Sequence, residues 1–369
     1  MKEFDDLKSL LRDERLFEMG VLAGAFENLS KSNKNYKLSI IIFSSVRSPI
    51  EIFNEERRRD ENSSFDIEIF NDFSIINLSR INKRGRAIKG SFGLFRFKKT
   101  NMWVAFTSES PDFFNNGVVS FIESYKPLIS RIYLSSEQLR ELFEAVETSL
   151  SSKITVKKAI SYSHIKEGAI RFFVGEDFQE LFNDAEANLS YVDAVEFEII
   201  EDNKNQSYHG FISRRSIFYY YSGRTSYFFN HILQAIGSIG IKKIGIFENK
   251  ERNYENAESK PLRIKFPPNA FASKYDNTRF IKTLEMVSNG AVTIYHNNPY
   301  LHISFLDFID GSNFDIFVVD PDNLTIIPNY KCSMYSLMRV TEEIFKGFCE
   351  GEIELAERYA YSLSDYIGE

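Results

Sequence analysis

Apolar residues recur at spacings of three and four through Leu7, Leu10, Leu11, Phe17, Val21, Leu22 and Phe26. No proline intervenes, and the pattern predicts an amphipathic helix over Phe4–Asn28. The period then shortens towards two. Tyr36–Phe43 is β-branched and largely apolar, and Phe65–Phe70, Ser74–Leu78, Ala87–Phe97 and Met102–Phe106 follow as further predicted strands. Between them Glu55–Ser64, EERRRDENSS, has nothing to bury and reads as a loop. Phe113–Tyr125 is a predicted helix stopped by Pro127, and Leu128–Leu134 is a strand. Ser135 with Gln138 forms a capping-box pattern ahead of Leu139, Leu142, Phe143 and Val146. That helix runs out in Leu150-Ser151-Ser152-Lys153, the expected boundary between two domains, 1–152 and 153–369.

The second half opens with strand Ile154–Ser161 and helix Phe178–Leu189. Val192–Ile200 and Tyr208–Tyr221 are predicted strands, Thr225–Ile236 a helix, and Lys243–Phe247 and Leu262–Phe266 strands. Gly240 is placed as the cap between that helix and strand. After helix Arg279–Val287 comes a meander of Val292–Tyr295, Leu301–Phe308, Phe314–Val319 and Leu324–Ile327, with turn signals at Asn297-Asn298-Pro299, Asp310-Gly311 and Pro321-Asp322-Asn323. A final helix, Tyr335–Phe348, is expected to cover one sheet face. Strands joined by short turns, with helices inserted between them, predict an α+β protein of two domains with mixed, mainly antiparallel sheets.

Composition sharpens this picture in two ways. With 35 Phe and 19 Tyr against one Trp in 369 residues, rings must fill much of the core and some of the surface. The two cysteines, Cys332 and Cys349, form no motif, which fits a reducing cytoplasm. The N-terminus lacks the basic and apolar regions of a signal peptide, and no apolar run is long enough to span a bilayer, so no membrane partner is expected. A net charge of −7 confines any nucleic-acid binding to local patches.

The usual signatures of nucleotide and nucleophile chemistry are missing. There is no phosphate-binding G-x-x-x-x-G-K-[ST], no G-x-G-x-x-G after a strand and no G-x-S-x-G, and no cofactor is predicted. His296 and His302 flank a predicted turn and face each other across it, which favours paired strand histidines over metal ligands. Asp307, Asp310, Asp315, Asp320 and Asp322 do not match a calcium loop and fall where aspartate serves turns. Ile244–Lys250, an apolar stretch ending in E-x-K, resembles the second half of the PD-(D/E)xK nuclease motif, in which carboxylates hold magnesium. That resemblance implies a metal-dependent nuclease using Glu248 and Lys250, with Glu198, Glu201 or Asp202 as the missing acid.

Charge asymmetry provides the stronger lead. Phe73 to Ser108 contains no acid, yet holds Arg80, Arg84, Arg86, Arg96, Lys98 and Lys99 interleaved with Phe92, Phe95, Phe97 and Trp103. Asn203 to Phe247 is likewise free of acids and carries Arg214, Arg215 and Arg224 beside Tyr208, Phe218, Tyr219, Tyr220, Tyr221 and Tyr227. Cations neutralise phosphates and rings stack on bases, so both windows suit single-stranded nucleic acid. Lys89–Phe97 resembles the RNA-recognition RNP1 pattern, departing from it by an inserted Ser91 and by Leu94 in an aromatic position. The expectation is a non-catalytic nucleic-acid-binding protein that contacts its ligand through Arg84, Arg86, Arg96, Lys98, Lys99, Arg214, Arg215 and Arg224. The Lys-, Asn-, Ile- and Phe-rich composition has the look of a phage-defence gene, and so of a component of a bacterial assembly. Besides the nuclease, the alternative is a protein-interaction or oligomeric subunit that buries surplus rings at an interface.

Overall fold

Leu38–Ser45 (β1) is LSIIIFSS, buried along its whole length, and such a strand belongs in the middle of a sheet. In the computed structural model, which describes residues 19–32, 37–57, 61–70, 73–82, 85–98, 100–164, 170–174, 177–201, 206–254, 257–297 and 300–354, it does. The chain divides into two compact units, Met1–Ile244 and Gly245–Glu369. Each contains one mainly antiparallel sheet with helices, the expected α+β class.

The strands of the first sheet are β1, Ser63–Phe70 (β2), Phe73–Ile81 (β3), Ala87–Arg96 (β4), Met102–Thr107 (β5), Ile129–Arg131 (β6), Lys153–Ser163 (β7), Ile170–Phe173 (β8), Ser190–Ile200 (β9), Gln206–Ser213 (β10) and Ile217–Gly223 (β11). They lie in the order β2-β3-β4-β5-β1-β11-β10-β9-β7-β8, with β6 also on β1. β1 pairs with β11 through Leu38–Ile41 and with β6 through Phe43–Ser45, so one flank of this strand changes partner part-way along. The expected boundary at Ser152 is therefore corrected. β7, β9, β10 and β11 continue the sheet begun by β1–β5, and Ser151, at φ 50°, only turns the chain back into it.

Helices Met19–Ser32 (α1) and Pro49–Glu55 (α2) precede a helix that is π-helical over Phe113–Val119 and α-helical over Ser120–Glu123 (α3). The expected helix over Phe4–Asn28 lies outside the described residues before Met19. One sheet face, at β2–β1, is sealed by α2 and α3. Phe53, Phe92, Phe113, Phe121 and Tyr125 pack there with Ile41 and Phe43, each ring contributing about 2–3 kcal/mol through burial. The opposite face carries Phe73, Phe95 and Phe106, and Phe26 of α1 meets Phe106 edge-on at 5.0 Å and stacks on Phe229 at 5.5 Å. Ser136–Leu150 (α4) begins at the expected capping box: Gln138 N–H donates to Ser135 Oγ at 3.2 Å, and Ser135 N–H to Gln138 Oε1 at 3.1 Å. Phe143 of α4 packs on Phe178 and Phe182 of Phe178–Ala187 (α5) and on Phe197 of β9.

Two expectations about the next stretch are overturned. Tyr208–Tyr221 is a hairpin and not one strand, because Arg214, Arg215 and Ser216 turn the chain with Ser216 at φ 53°. Lys243–Phe247 is helical. The helix that starts at Thr225–Tyr227, passes through π turns at Phe228–Ile232 and runs on over Leu233–Glu248 (α6) includes Gly240 in its interior and not at a cap. Its glycines serve close approach. A Cβ on Gly237 would stand 2.2 Å from the Phe97 ring, and one on Gly240 would stand 2.9 Å from Met102 Sδ.

In the second unit, Leu262–Lys265 (β12), Gly290–His296 (β13), Leu301–Asp307 (β14), Asn313–Asp320 (β15), Asn323–Pro328 (β16) and Glu352–Glu354 (β17) lie in the order β13-β14-β15-β16-β12-β17. Helices Lys274–Glu285 (α7) and Met334–Gly347 (α8) bury Phe280, Leu337, Val340 and Ile344, and the strands bury Phe305, Phe314 and Ile316. The meander is as expected, and Asp307, Asp310 and Asp320 serve its turns, whereas Asp315 lies within β15, opposite Ser304 and 3.9 Å from His302. Ile309, Ser312 and Asp322 donate their N–H groups to Asp307, Asp310 and Asp320 at 2.9, 2.8 and 3.0 Å, each spanning two residues.

Candidate nucleic-acid interface

β4 determines where the first basic window can act. Arg86 precedes its first residue and Arg96 is its last, which puts them about 30 Å apart at 3.3 Å per residue. Between them Ser91–Phe95 is buried on both faces, so no continuous surface joins the two cations. Phe92, Phe95 and Phe97 are wholly buried, and of the rings named in this window only Trp103 is half-exposed. Arg96 donates from Nε to the Thr100 carbonyl at 2.5 Å and lies 6.0 Å from the Trp103 ring, its cross-strand neighbour. Lys98, at φ 45°, stands 5.2 Å from Phe97. Arg86 is exposed, its N–H held by Asn82 Oδ1 at 3.0 Å. Arg84 and Lys99 lie outside the described residues.

Arg214 is corrected outright. It is 2% exposed, with its guanidinium 4.3 Å from the Tyr191 ring, its N–H on the Asp193 carbonyl and its carbonyl accepting from Leu134. A side chain so enclosed cannot reach a phosphate. Its neighbour Arg215 is exposed. Arg224, although its window has no acid, ion-pairs with Glu201 at 2.8 Å. The Tyr227 hydroxyl bonded to Glu201, and then the Arg224 charge, hold that carboxyl below the usual range. Strand directions place Arg96, Lys98 and Arg215 at one end of the sheet and Arg86 and Arg224 at the other. Among the described residues the predicted cations form no single strip.

What the second window does build is a platform. Lys158, Glu196, Phe211, Tyr219 and Ser39 are successive cross-strand partners over β7, β9, β10, β11 and β1, and so share one face. Phe211 lies 5.3 Å from Tyr219, Tyr219 stacks on Tyr221 at 6.3 Å and 14°, and His209 meets Tyr221 at 5.0 Å. Alternate residues Tyr208, Phe218 and Tyr220 point the other way into the core under α4, α5 and α6. On the platform side, by contrast, Phe211, Tyr219, Tyr221 and His209 are half-buried and Lys158 and Phe172 are exposed. Partial burial pushes the Tyr219 and Tyr221 hydroxyls up, so both stay neutral at physiological pH. From β11 to β8 the face is about 19 Å wide.

Cations border it. Lys37 stands 5.5 Å from the Tyr221 ring, Lys158 5.2 Å from Phe172, and Lys157 binds Glu198 at 2.8 Å. Glu196 accepts from His209 Nε2 at 2.8 Å. The sequence matches no protein-family model and no curated protein. Phe211, His209, Glu196 and Lys158 were not singled out from sequence as site residues. For Phe211 and His209 the signal was the alternation within Tyr208–Tyr221, obscured by the unmarked turn at Arg214–Ser216.

The remaining sequence candidates find other surroundings. Glu248 ends α6 and Lys250 follows it, so the strand that the nuclease motif needs under its E-x-K is absent. Asp202 lies outside the described residues. His296 and His302 are cross-strand partners as expected, and the His302 ring lies between Tyr295 at 4.7 Å and Phe317 at 4.3 Å. Among the described residues no three His, Cys, Asp or Glu side chains group to hold a metal, and no helix is long and apolar enough to cross a membrane.

Proposed function

We propose that this is a non-catalytic binding protein that takes single-stranded nucleic acid on the open aromatic face of its first sheet. The observation that carries the reading is the half-buried group Phe211, Tyr219, Tyr221 and His209, flanked by Lys37 and Lys158. Ring faces accept any base, and stacking is worth about 1–3 kcal/mol per base, while lysines at the margin neutralise the backbone. Open antiparallel sheets with outward rings recognise single strands in this manner. Composition supports a cytoplasmic component of a bacterial, phage-defence-like assembly.

The test is fluorescence anisotropy with labelled single-stranded DNA and RNA at low salt. Tyr219→Ala and Tyr221→Ala are each expected to weaken binding about tenfold or more, Tyr221→Ala with thermal unfolding little changed and Tyr219→Ala, whose ring also meets Phe114 at 5.8 Å, with a lower melting temperature. A protein that binds no oligonucleotide at low salt, or binds equally well without both rings, refutes the reading.

A further inference from the structure

Among the described residues the first strand of the second sheet, β13, is an edge, and its sequence is Gly290-Ala-Val-Thr-Ile-Tyr-His296, without Asp, Glu, Lys, Arg or Pro. Sheet edges ordinarily carry charges or prolines that block pairing with another chain. The three other terminal strands obey this rule: β2 contains Asp66 and Glu68, β8 contains Arg171, and β17 is Glu352-Ile353-Glu354. β13 departs from it and is also apolar on its exposed sides. Ile294 is 44% exposed and Tyr295 63%.

Its backbone is set for pairing. Phe308 N–H donates to the Asn289 carbonyl at 2.8 Å, and the register runs Gly290 to Asp307, Ala291 to Leu306 and Val292 to Phe305. Alternation along an antiparallel ladder then sends the N–H and C=O groups of Gly290, Val292 and Ile294 towards the open edge.

We propose that β13 pairs antiparallel with β13 of a second copy of this chain, about a two-fold axis at Thr293. That axis sets Val292 against Ile294 of the second copy and small Ala291 against large Tyr295, both favourable cross-strand combinations. An edge without charge gives a charged peptide nothing to complement, whereas two copies meet without like-charge repulsion. One strand pair buries less than the roughly 1,200 Å² of a tight complex, so the dimer is concentration-dependent. It continues the six-stranded sheet.

Sedimentation equilibrium on the full chain tests this. The expected result is a mass that rises with concentration from 42.9 kDa towards twice that value. Thr293→Lys, which opposes two like charges on the axis, should hold the mass at the monomer value without lowering the melting temperature. Under mild oxidation Thr293→Cys should give a disulfide-linked dimer, because directly opposed residues on paired strands fall within disulfide reach. A wild-type mass fixed at the monomer at all concentrations overturns the proposal. So does a dimer that survives Thr293→Lys and does not cross-link through Thr293→Cys.

Discussion

Lys243 Nζ stands 3.3 Å from the centre of the Tyr133 ring and donates to the carbonyl of that same residue at 2.7 Å. It also donates to Gln138 Oε1 at 3.0 Å, the oxygen that accepts from Ser135 N–H in the capping box. One buried ammonium therefore ties α6 to the start of α4. Lys243→Ala removes the hydrogen bond to the Tyr133 carbonyl and a desolvated cation–π contact, a loss of about 3 kcal/mol. Thermal unfolding is expected to show a fall of roughly 6–12 °C.

Arg214 and Arg215 are adjacent in sequence but not in role. Arg214→Ala removes an enclosed guanidinium from the Tyr191 face and is expected to cost about 2–4 kcal/mol, seen as a lower denaturation midpoint. Arg215→Ala, on the exposed turn, should fall within about 0.5 kcal/mol of the unmodified protein.

Salt dependence separates the platform from the β4 cations. If Lys37 and Lys158 neutralise phosphates, Lys37→Glu and Lys158→Glu should each lower the log–log salt slope of single-strand binding by about 0.7. Arg96→Glu with Lys98→Glu, on the far end of the sheet, should leave that slope unchanged. The opposite ranking in anisotropy titrations would return the interface to the β4–β5 turn.

Burial, more than any neighbouring charge, raises the Glu251 carboxyl above the ordinary 4.5, although Met334 N–H, bonded to it at 2.8 Å, acts to lower it. The native protein thus holds this proton more tightly than the unfolded chain, and stability from this group falls as pH rises above 4.5. Glu251→Gln keeps an oxygen for the Met334 bond and removes the slope. Denaturant titrations should find the variant more stable at pH 7, with the gain shrinking as pH drops towards about 4.

Local signals in the sequence translated well into structure. Ser135 with Gln138 specified both bonds of the α4 cap, and Asp310-Gly311 specified a turn that aspartate and glycine could both accommodate. Signals failed where tertiary packing decided. Gly240 suggested a helix end followed by a strand, yet it and Gly237 are small because Met102 and Phe97 press against them. The hairpin at Arg214–Ser216 uses no glycine or proline, so the direction of every ring from Tyr208 to Tyr221 depended on a turn without a marker. The basic windows were legible as charge but not as surface, because the same alternation that exposes Tyr219 and Tyr221 buries Tyr220 and Phe218.

β1 gains its inner neighbours from very different parts of the chain: β5 about sixty residues later and β11 about one hundred and eighty. During synthesis the centre of the first sheet therefore waits, with Leu38–Ile41 unpaired on one side, until the ribosome has passed Gly223. Long-range strand pairing is slow to form and leaves adhesive edges open meanwhile. A chain released at Ser152 would keep α4 and its cap yet present a largely apolar strand to its surroundings, and its fate would be aggregation. Within the first unit, the smallest piece that can close the centre of its sheet runs at least through β11.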